Sequence, residues 1–444
     1  MLRRNFLPSL TAAGAGILGA PACALQRLVA PAPFRPTEGA NNPLGAGLGI
    51  HPGRVVWVRD AKATTWDGAT GHWWDDANTD QKAVHGMTSQ LIGDLTGSRN
   101  GKQAWDALFR NFNETRQQGR AGYRPGERIA IKVNCNQDRS PKWGEPGTGR
   151  RALNGLPSPH AILALVTQLI EVAGVRGEDI LVYDVTGARN VGDPISSRIR
   201  ANSNPQFQNV QFLVGRDYEL GGRLAPVPDL ENPIRFANQD LPAGYLARQV
   251  TEAEYLINMA LLRPHGMAGV TLAAKNHFGS VHFPQEGGWS PRVLHNSVLR
   301  SQAMGSYNAL VDLIGHRHLG GKTMLYVLDG LYTAEHNEGN VMRWASLGDQ
   351  WAASLLVSQD PIAIDSVALD LLSSEPRATQ VRGSADNYLH EAALAAKPAS
   401  GAAYRPSGAA LSSLGVHEHW NNATERKYSR NLGRKEGIEL IARV

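Results

Sequence analysis

The chain of 444 residues contains only two cysteines, Cys23 and Cys135. Two thiols cannot build a disulfide framework, a four-cysteine zinc site or a cysteine-ligated iron–sulfur cluster within one chain, so the sequence excludes all three. It also has little excess charge, because 45 basic and 40 acidic side chains give a net charge of +5. No block of lysine and arginine accompanies that small excess, and nucleic-acid binding is therefore not expected.

Two common motifs are absent as well. The sequence has neither a phosphate-binding P-loop nor the Gly-x-Ser-x-Gly elbow of serine hydrolases. Gly45, Gly47 and Gly49 follow no strand pattern and open no helix pattern, so they do not indicate nucleotide binding. What the chain does have is hydrophobic residues, at 42% of its length, which is enough for a sizeable core.

The first 24 residues have the pattern of an export signal. Arg3 and Arg4 give a basic start, a weakly apolar stretch runs over residues 7–20, and Ala22-Cys23-Ala24 offers a cleavage site with small residues. The arginine pair resembles a twin-arginine signal, whose pathway exports folded proteins, so we expect a periplasmic or extracellular protein that engages this machinery. The apolar stretch is shorter than the roughly 20 residues of a membrane span, and we expect no stable membrane insertion.

The remaining chain divides by composition into three parts. Residues 25–52 are rich in proline, glycine, alanine and asparagine and are predicted to be a linker. Residues 53–400 are predicted to form the α/β domain, and residues 401–444, which are loop-like and basic, a C-terminal wrap. Within the domain, residues 60–99 are dense in tryptophan, aspartate and glycine and are predicted to be an irregular insertion.

Strand and helix patterns alternate along the α/β domain. This alternation predicts α/β layers with a mainly parallel sheet and flanking helices, arranged in two lobes. The predicted strands are residues 55–58, 128–134, 180–185, 210–214, 255–262, 324–328 and 354–357. The predicted helices, taken from apolar residues at helical spacing, are residues 104–118, 159–172, 298–314 and 361–372.

Candidate chemical groups concentrate directly after the strand at 255–262. His265, His277, His282 and His295 are four of the 14 histidines in the chain, and Lys275 lies among them between small residues. Imidazoles, with an unperturbed pKa of about 6.5, serve as acid/base groups or metal ligands. A lysine among small and apolar neighbours is desolvated, which lowers its pKa and frees its amine for covalent chemistry. Because ligand sites of α/β proteins form where strands end, this cluster predicts a functional site.

Several separated motifs resemble the domain-of-unknown-function 362 family. They occur in the same order as in that family and cover roughly residues 125–400. The segments concerned are Ile131–Asn134, residues 158–185, Ile257–Gly279, Val327–Gly330 and Ser358–Ser366. The resemblance implies the fold more than a reaction, because the family has no established common activity. Some members carry a ferredoxin-like cysteine insertion, which this chain lacks.

A more distant resemblance is to the nickel-pincer lactate racemase family. It is carried by Pro264-His265-x-x-Ala268-Gly269 followed by Lys275. In that family the histidine acts as acid/base on the substrate, the lysine bonds the cofactor, and a later histidine, matched here by His295, ligates nickel. Residues 157–189 are similar to that family's first α/β unit, which supplies a second catalytic histidine. Arg189 stands at that position here, which puts two-base racemisation in doubt and would let an arginine clamp a carboxylate or phosphate.

Carboxylates and histidines elsewhere give weaker signals. Asp329 and Asp365 lie near predicted strand ends, where they could bind a cation or a substrate hydroxyl, whereas Asp360 before a proline is predicted to cap a helix. The alternating histidines of 316–318 and 417–419 are predicted to lie on the surface.

Two functions of different class remain open. The first is an exported enzyme that carries out proton or hydride chemistry on a small hydroxylated or carboxylated substrate, with a divalent metal or a nickel-pincer-like cofactor. His265 would be the general acid/base, Lys275 the anchor of the cofactor or substrate, and His277, His282 and His295 the metal ligands. The residues assigned to substrate binding are Lys132, Asn134, Arg189, Asn276, Asp329 and Asp365. The second is a non-catalytic exported protein that binds a metal or small ligand through the same histidines.

Overall fold

An eight-stranded sheet lies at the centre of the computed structural model, which describes residues 35–36, 39–135, 155–186, 193–215 and 222–444. The predicted export signal and Arg189 lie outside these residues. The strands of the central sheet are β1 (Arg54–Arg59), β2 (Ile129–Lys132), β3 (Ile180–Asp184), β4 (Gln211–Val214), β5 (Tyr255–Leu261), β6 (Thr323–Gly330), β7 (Ser354–Ser358) and β8 (Glu439–Arg443).

The sheet is mostly parallel, as predicted. Its strand order is β8-β1-β7-β6-β5-β2-β3-β4. Strand β7 runs antiparallel to both of its neighbours, and the five other neighbouring pairs are parallel. All seven residues of β5 are buried, as expected for a central strand covered on both faces.

Helices cover both faces of the sheet because its strands send alternate side chains to opposite sides. In β1, Val55 and Trp57 join one hydrophobic core, and Val56 and Val58 join the other. Helices α1 to α4 pack in the second core and α6 to α9 in the first. The helices are α1 (Gln81–Thr96), α2 (Gly101–Thr115), α3 (Pro159–Thr167), α4 (Asp193–Arg200), α5 (Arg248–Thr251), α6 (Ala273–Asn276), α7 (Ala309–Gly315), α8 (Pro361–Ser373) and α9 (Asn387–Ala393).

Three short strand pairs complete the described structure. They are Leu44–Gly45 with Val416–His417, Pro228–Ile234 with Gly244–Ala247, and Arg263–His265 with Gly269–Thr271, each antiparallel. Among the described residues, no helix has both the length and the apolar character needed to cross a bilayer.

Several details of the structure differ from the patterns read in the sequence. The described part of residues 32–444 forms one compact unit instead of two lobes. The supposed insertion at 60–99 contains the 16-residue helix α1, which begins after the N-cap Asp80. The C-terminal wrap ends in β8, which pairs in parallel with β1 and buries Leu440. The helix expected at 298–314 begins only at Ala309, after the N-cap Asn308.

The order of the strands creates a crevice between β2 and β5. From β2 the chain proceeds outward to β3 and β4, and then returns to the other side of β2 to form β5, followed by β6. In open α/β sheets, ligands bind outside the carboxyl ends of the strands at such a reversal. The topology therefore predicts a ligand site formed by the residues that follow β2, β3 and β5.

Candidate active site

A cavity of about 780 Å³ opens at the carboxyl ends of β2, β3 and β5. Six of the eleven residues proposed from the sequence for catalysis, substrate binding or metal binding face it or follow these strands, and two further polar side chains come from the end of β3. The polar side chains that line the cavity include Lys132, Asn134, Asp184, Thr186, His265, Lys275, Asn276 and His295. The reversal in strand order thus coincides with a polar cavity.

Lys132 forms the floor of this cavity. Its Nζ lies 3.3 Å from Asp184 Oδ2 and 3.2 Å from Asn276 Oδ1, and it also donates to the carbonyl of Val133. Burial lowers the pKa of Lys132, and the Asp184 carboxylate opposes that shift. Gly279 packs against this pair, since a Cβ atom there would approach Lys132 Nζ to 2.6 Å. Lys132 is thus paired within the scaffold.

Asn276 connects the two central strands. Its Nδ2 donates to Asn258 Oδ1 of β5 at 2.7 Å and to the carbonyl of Lys132 in β2 at 3.2 Å. Asn258 in turn donates from Nδ2 to the Ala273 carbonyl at 2.9 Å and faces His277 Nε2 at 3.1 Å. Sequence reasoning missed Asn258, although an amide inside the apolar run of β5 was a visible signal.

His277 belongs to this scaffold and does not face the cavity. It is completely buried, and burial lowers its pKa to about 3, so the ring is neutral. A neutral ring whose Nε2 accepts from Asn258 carries its proton on Nδ1.

His265 is held by a tight hairpin between Arg263–His265 and Gly269–Thr271. The backbone N–H groups of Met267 and Ala268 both donate to His265 Nδ1, at 3.1 and 3.2 Å. Two donors at Nδ1 place the ring proton on Nε2. Burial, together with the charge of Lys275, also holds the pKa of His265 well below its usual value. The ring is therefore a neutral hydrogen-bond donor through Nε2.

Lys275 is placed by the start of helix α6. The Asp365 carboxylate accepts from the backbone N–H groups of Ala273 and Ala274, at 2.9 and 3.1 Å, and from the Tyr388 hydroxyl at 3.0 Å. Burial raises the pKa of Asp365 to about 7, and these hydrogen bonds oppose the shift. Asp365 was expected to bind substrate, but it does not line the cavity and instead fixes the helix that carries Lys275.

The amine of Lys275 lies against an aromatic ring. Its Nζ is 3.5 Å from the centroid of the Phe278 ring, and it makes no hydrogen bond with the described part of the chain. Burial, and secondarily the charge of Arg263, lowers the pKa of Lys275 to about 7. The neutral amine form of Lys275 is therefore populated near pH 7.

Arg263 is a second cation that sequence reasoning missed. It is 1% exposed, donates from Nη1 to the Gly155 carbonyl, and has no hydrogen-bond partner for Nε or Nη2 among the described residues. Burial lowers the pKa of Arg263 to about 10, so it is charged at neutral pH. The charge raises the electrostatic potential around Lys275 and His265, and the site therefore favours an anion.

The structure does not assemble the predicted metal ligands. His295 faces the cavity, with Nδ1 3.2 Å from the Arg292 carbonyl, whereas His277 is buried in the scaffold and His282 packs edge-on to Trp289. Among the described residues, His277, His282 and His295 take part in no group of three potential ligands with converging atoms. The expectation of a shared metal site on these three residues therefore needs correction.

Asp329 also lies away from the cavity. It is buried at the end of β6 and accepts from the backbone N–H groups of Ser158 and Leu331, at 2.6 and 3.2 Å. Burial raises the pKa of Asp329 to about 6. The carboxylate thus ties β6 to the N-cap of α3, as Asp360 caps α8.

Two histidine groups were predicted to be exposed, and that prediction was wrong. His316, His417 and His419 are each less than 4% exposed. Alternation of polar residues predicts exposure only when one face of the segment meets solvent. Helix α8 contacts His417 and His419, and the loop residues Asn232 and Ser407 contact the segment 316–318.

Comparison with known proteins gives three similarities. The family model described as "Domain of unknown function (DUF362)" matches residues 129–370, more than half of the chain. Thylakoid-associated protein sll1697 of Synechocystis sp. is 25% identical over 258 residues, which are 57% of this chain and 65% of that protein. This chain thus spans slightly less than two thirds of that relative.

A solved structure gives the third similarity. The lactate racemase apoprotein from Thermoanaerobacterium thermosaccharolyticum shares 9% identity, with 68% of this chain and 58% of that chain covered and a TM-score of 0.26. A superposition this loose carries no argument about the chemistry of the cavity.

The lowered pKa of Lys275 predicts a stabilising substitution. Because the folded pKa of about 7 lies below the ordinary 10.5, unfolding takes up a proton between these values, and stability rises with pH across that window. Lys275→Met removes the cost of burying this amine. We therefore expect the free energy of unfolding to increase by about 3–5 kcal/mol at pH 7, at 1.36 kcal/mol per pKa unit, and by almost nothing above pH 10.5. Denaturant unfolding of the variant and of the unsubstituted chain from pH 6 to 10.5 measures this difference in unfolding free energy.

The exposed Lys102 provides the control for this measurement. Lys102→Met should shift stability by no more than about 0.5 kcal/mol at any pH. A Lys275→Met profile that runs parallel to that of the unsubstituted chain would contradict a buried amine with a lowered pKa.

Proposed function

Since the chain belongs to the family described as domain of unknown function (DUF362), a description that states no activity, we propose a function from the cavity itself. The protein is an enzyme that transfers a proton at a carbon next to the carboxylate of a small substrate. One observation carries this proposal: the buried amine of Lys275 shares the cavity with a histidine, His265, whose tautomer is fixed by two backbone donors.

The charges around the cavity support an anionic substrate. Arg263 has no carboxylate within ion-pair distance among the described residues, and Lys275 likewise has none. An anion entering the cavity would gain the attraction of Arg263, and of Lys275 whenever that amine is protonated, in a partly desolvated site where Coulomb interactions are stronger than in water. The ends of β2 and β3 add Asn134 and Thr186, whose polar groups suit a substrate hydroxyl.

Lys275 is the better candidate for the base. A general base works best when its pKa lies near the operating pH, and the pKa of Lys275 is about 7. His265, which the sequence favoured for this role, holds its lone pair toward two backbone N–H groups and so cannot accept a proton at Nδ1 without losing them. The roles expected for these two residues are therefore exchanged in this proposal.

The proposed step uses both residues on one substrate. The Lys275 amine takes the proton from the carbon, and the electron pair of the C–H bond moves toward the adjacent carboxyl or carbonyl group. His265 Nε2–H donates a hydrogen bond to the oxygen that gains charge, as preorganised donors do in such transition states. Return of the proton from the Lys275 ammonium completes an exchange or an isomerisation.

A cofactor at Lys275 is a second possibility that the cavity accommodates. The amine is free of hydrogen bonds to the described chain, and His295 directs Nδ1 toward the Arg292 carbonyl, which favours a lone pair on Nε2. Lys275 would hold a nickel-pincer-like group covalently, and His295 would supply one metal ligand. Such a group, when bound, supplies an acceptor for hydride.

Intact mass and nickel content of the natively expressed protein test whether this group is bound. Added mass on Lys275 supports the group, and the bare chain mass without nickel excludes it.

Export by the twin-arginine pathway is also part of the proposal. It rests on the sequence of residues 1–24 alone. Fused to a reporter protein that folds in the cytoplasm, this segment should deliver the reporter across the membrane. Substitution of Arg3 and Arg4 by lysine should retain it inside, and unchanged export would contradict the assignment.

The proton transfer predicts exchange of substrate hydrogen with solvent. Incubated in D₂O with a panel of small 2-hydroxy carboxylic acids, the protein should exchange the hydrogen on the carbon next to the carboxyl group, as followed by proton NMR. The rate should increase with pH through a midpoint near 7, because Lys275 must be neutral. Lys275→Arg should lower the rate about 10²–10⁴-fold and His265→Gln about 10²–10³-fold.

Lys102→Arg, at an exposed position, is the matched control and should keep the full rate. Binding of a panel acid with no exchange in the unsubstituted protein would favour a non-catalytic binding protein. Exchange that persists in Lys275→Arg would remove Lys275 from the role of base.

A further inference from the structure

Asp386, His390 and His417 form a group of potential metal ligands outside the cavity. One ligand atom from each lies within 4.8 Å of the others. Asp386 directly precedes helix α9, and His390 follows four residues later, a spacing that places both on the same face of a helix. His417 comes from the short strand that pairs with Leu44–Gly45. None of the three lines the cavity.

The ring of His417 is oriented by a hydrogen-bond chain. The Ser366 hydroxyl donates to the Ile362 carbonyl at 2.7 Å, so its oxygen accepts from His417 Nδ1–H at 2.8 Å. That arrangement places the lone pair of His417 on Nε2. Metal-binding histidines generally donate their second ring nitrogen to such an acceptor, which fixes both tautomer and orientation. The neighbouring His419 shows the same pattern, with Nδ1 2.6 Å from Asp370.

Asp386 gives an independent indication of a cation. Its side chain is 1% exposed, and neither carboxylate oxygen accepts a hydrogen bond from the described part of the chain. His390 Nε2 lies 3.6 Å from one of these oxygens. A buried carboxylate without hydrogen bonds is costly, and a bound cation removes that cost.

We propose that Asp386, His390 and His417 bind a divalent transition metal ion of the zinc type. Two imidazole nitrogens and one carboxylate oxygen are the ligands such ions prefer, with a further position for water. The side chain of His390 is 15% exposed, which gives the ion a route from solvent.

The ion would stabilise the support of the proposed active site. Tyr388, two residues after Asp386, donates to Asp365, and Asp365 caps the helix that carries Lys275. A metal at the start of α9 therefore fixes one end of the chain of contacts Tyr388–Asp365–α6. The metal site does not depend on the proposed reaction, because its residues take no part in it.

Zinc content and thermal stability of the full chain test the proposal. After removal of metal with a chelator and dialysis against Zn²⁺, elemental analysis should find about one zinc per chain and the melting temperature should rise. Asp386→Asn and His390→Gln should each lose the bound zinc and the zinc-dependent rise. His295→Gln, in the cavity, should keep both, which separates this site from the proposed active site.

A second measurement covers the possibility that a variant folds poorly. Without metal, Asp386→Asn should melt no lower than the unsubstituted chain, because it replaces a buried carboxylate that accepts no hydrogen bond from the described residues by a neutral amide of the same shape. The proposal is overturned if the unsubstituted chain binds no stoichiometric zinc. It is also overturned if Asp386→Asn and His390→Gln bind as much zinc as that chain, or if His295→Gln alone loses it.

Discussion

The side-chain amide of Asn276 holds the candidate active site together. It donates to Asn258 on β5 and to the backbone of Lys132 on β2, and its oxygen accepts from the Lys132 ammonium. These bonds join β2 and β5, the two strands between which the strand order reverses. The connections that leave these strands run to opposite sides of the sheet and leave a crevice between them. Because Asn276 immediately follows Lys275, the same bonds fix the backbone that carries the reactive amine.

The electrostatics of the site follow from burial of cations near this bridge. Lys132 is paired with Asp184, but Lys275 and Arg263 have no carboxylate partner among the described residues. A folded protein gains no stability from such charges, since desolvation disfavours them. Their presence is therefore better explained by a ligand that brings negative charge. Groups that cost stability are commonly found at functional sites, where they serve binding or catalysis.

The sequence predicted the central sheet well because its strands are short, continuous apolar runs. All seven predicted strands are present, since runs such as that of β5 can be satisfied only by burial on both faces. Helix α1 was missed because the tryptophan, aspartate and glycine content of residues 60–99 indicated irregular structure. Its buried Val84, Met87 and Leu91 nevertheless have helical spacing. Strand β8 was missed since only one of its five residues, Leu440, is buried, and charged residues stand at both of its ends.

The location of the site was more predictable than the roles within it. His265, Lys275 and Lys132 could be placed near one another because they follow strands of one parallel sheet. The tautomer of His265 could not be predicted from the sequence, since it depends on how the backbone of Met267 and Ala268 turns back toward the ring. The same limit applies to Asp386 and His417, whose proximity depends on tertiary packing of segments 31 residues apart.

The most direct test of the account is the ionisation of Lys275 itself. Carbon-13 NMR of lysine labelled at Cε, with the resonance assigned by its loss in Lys275→Arg, follows the titration of this one amine. We predict a midpoint near pH 7. A midpoint near 10.4, the value of an unperturbed lysine, would show an amine in contact with water and would contradict the proposed catalytic site.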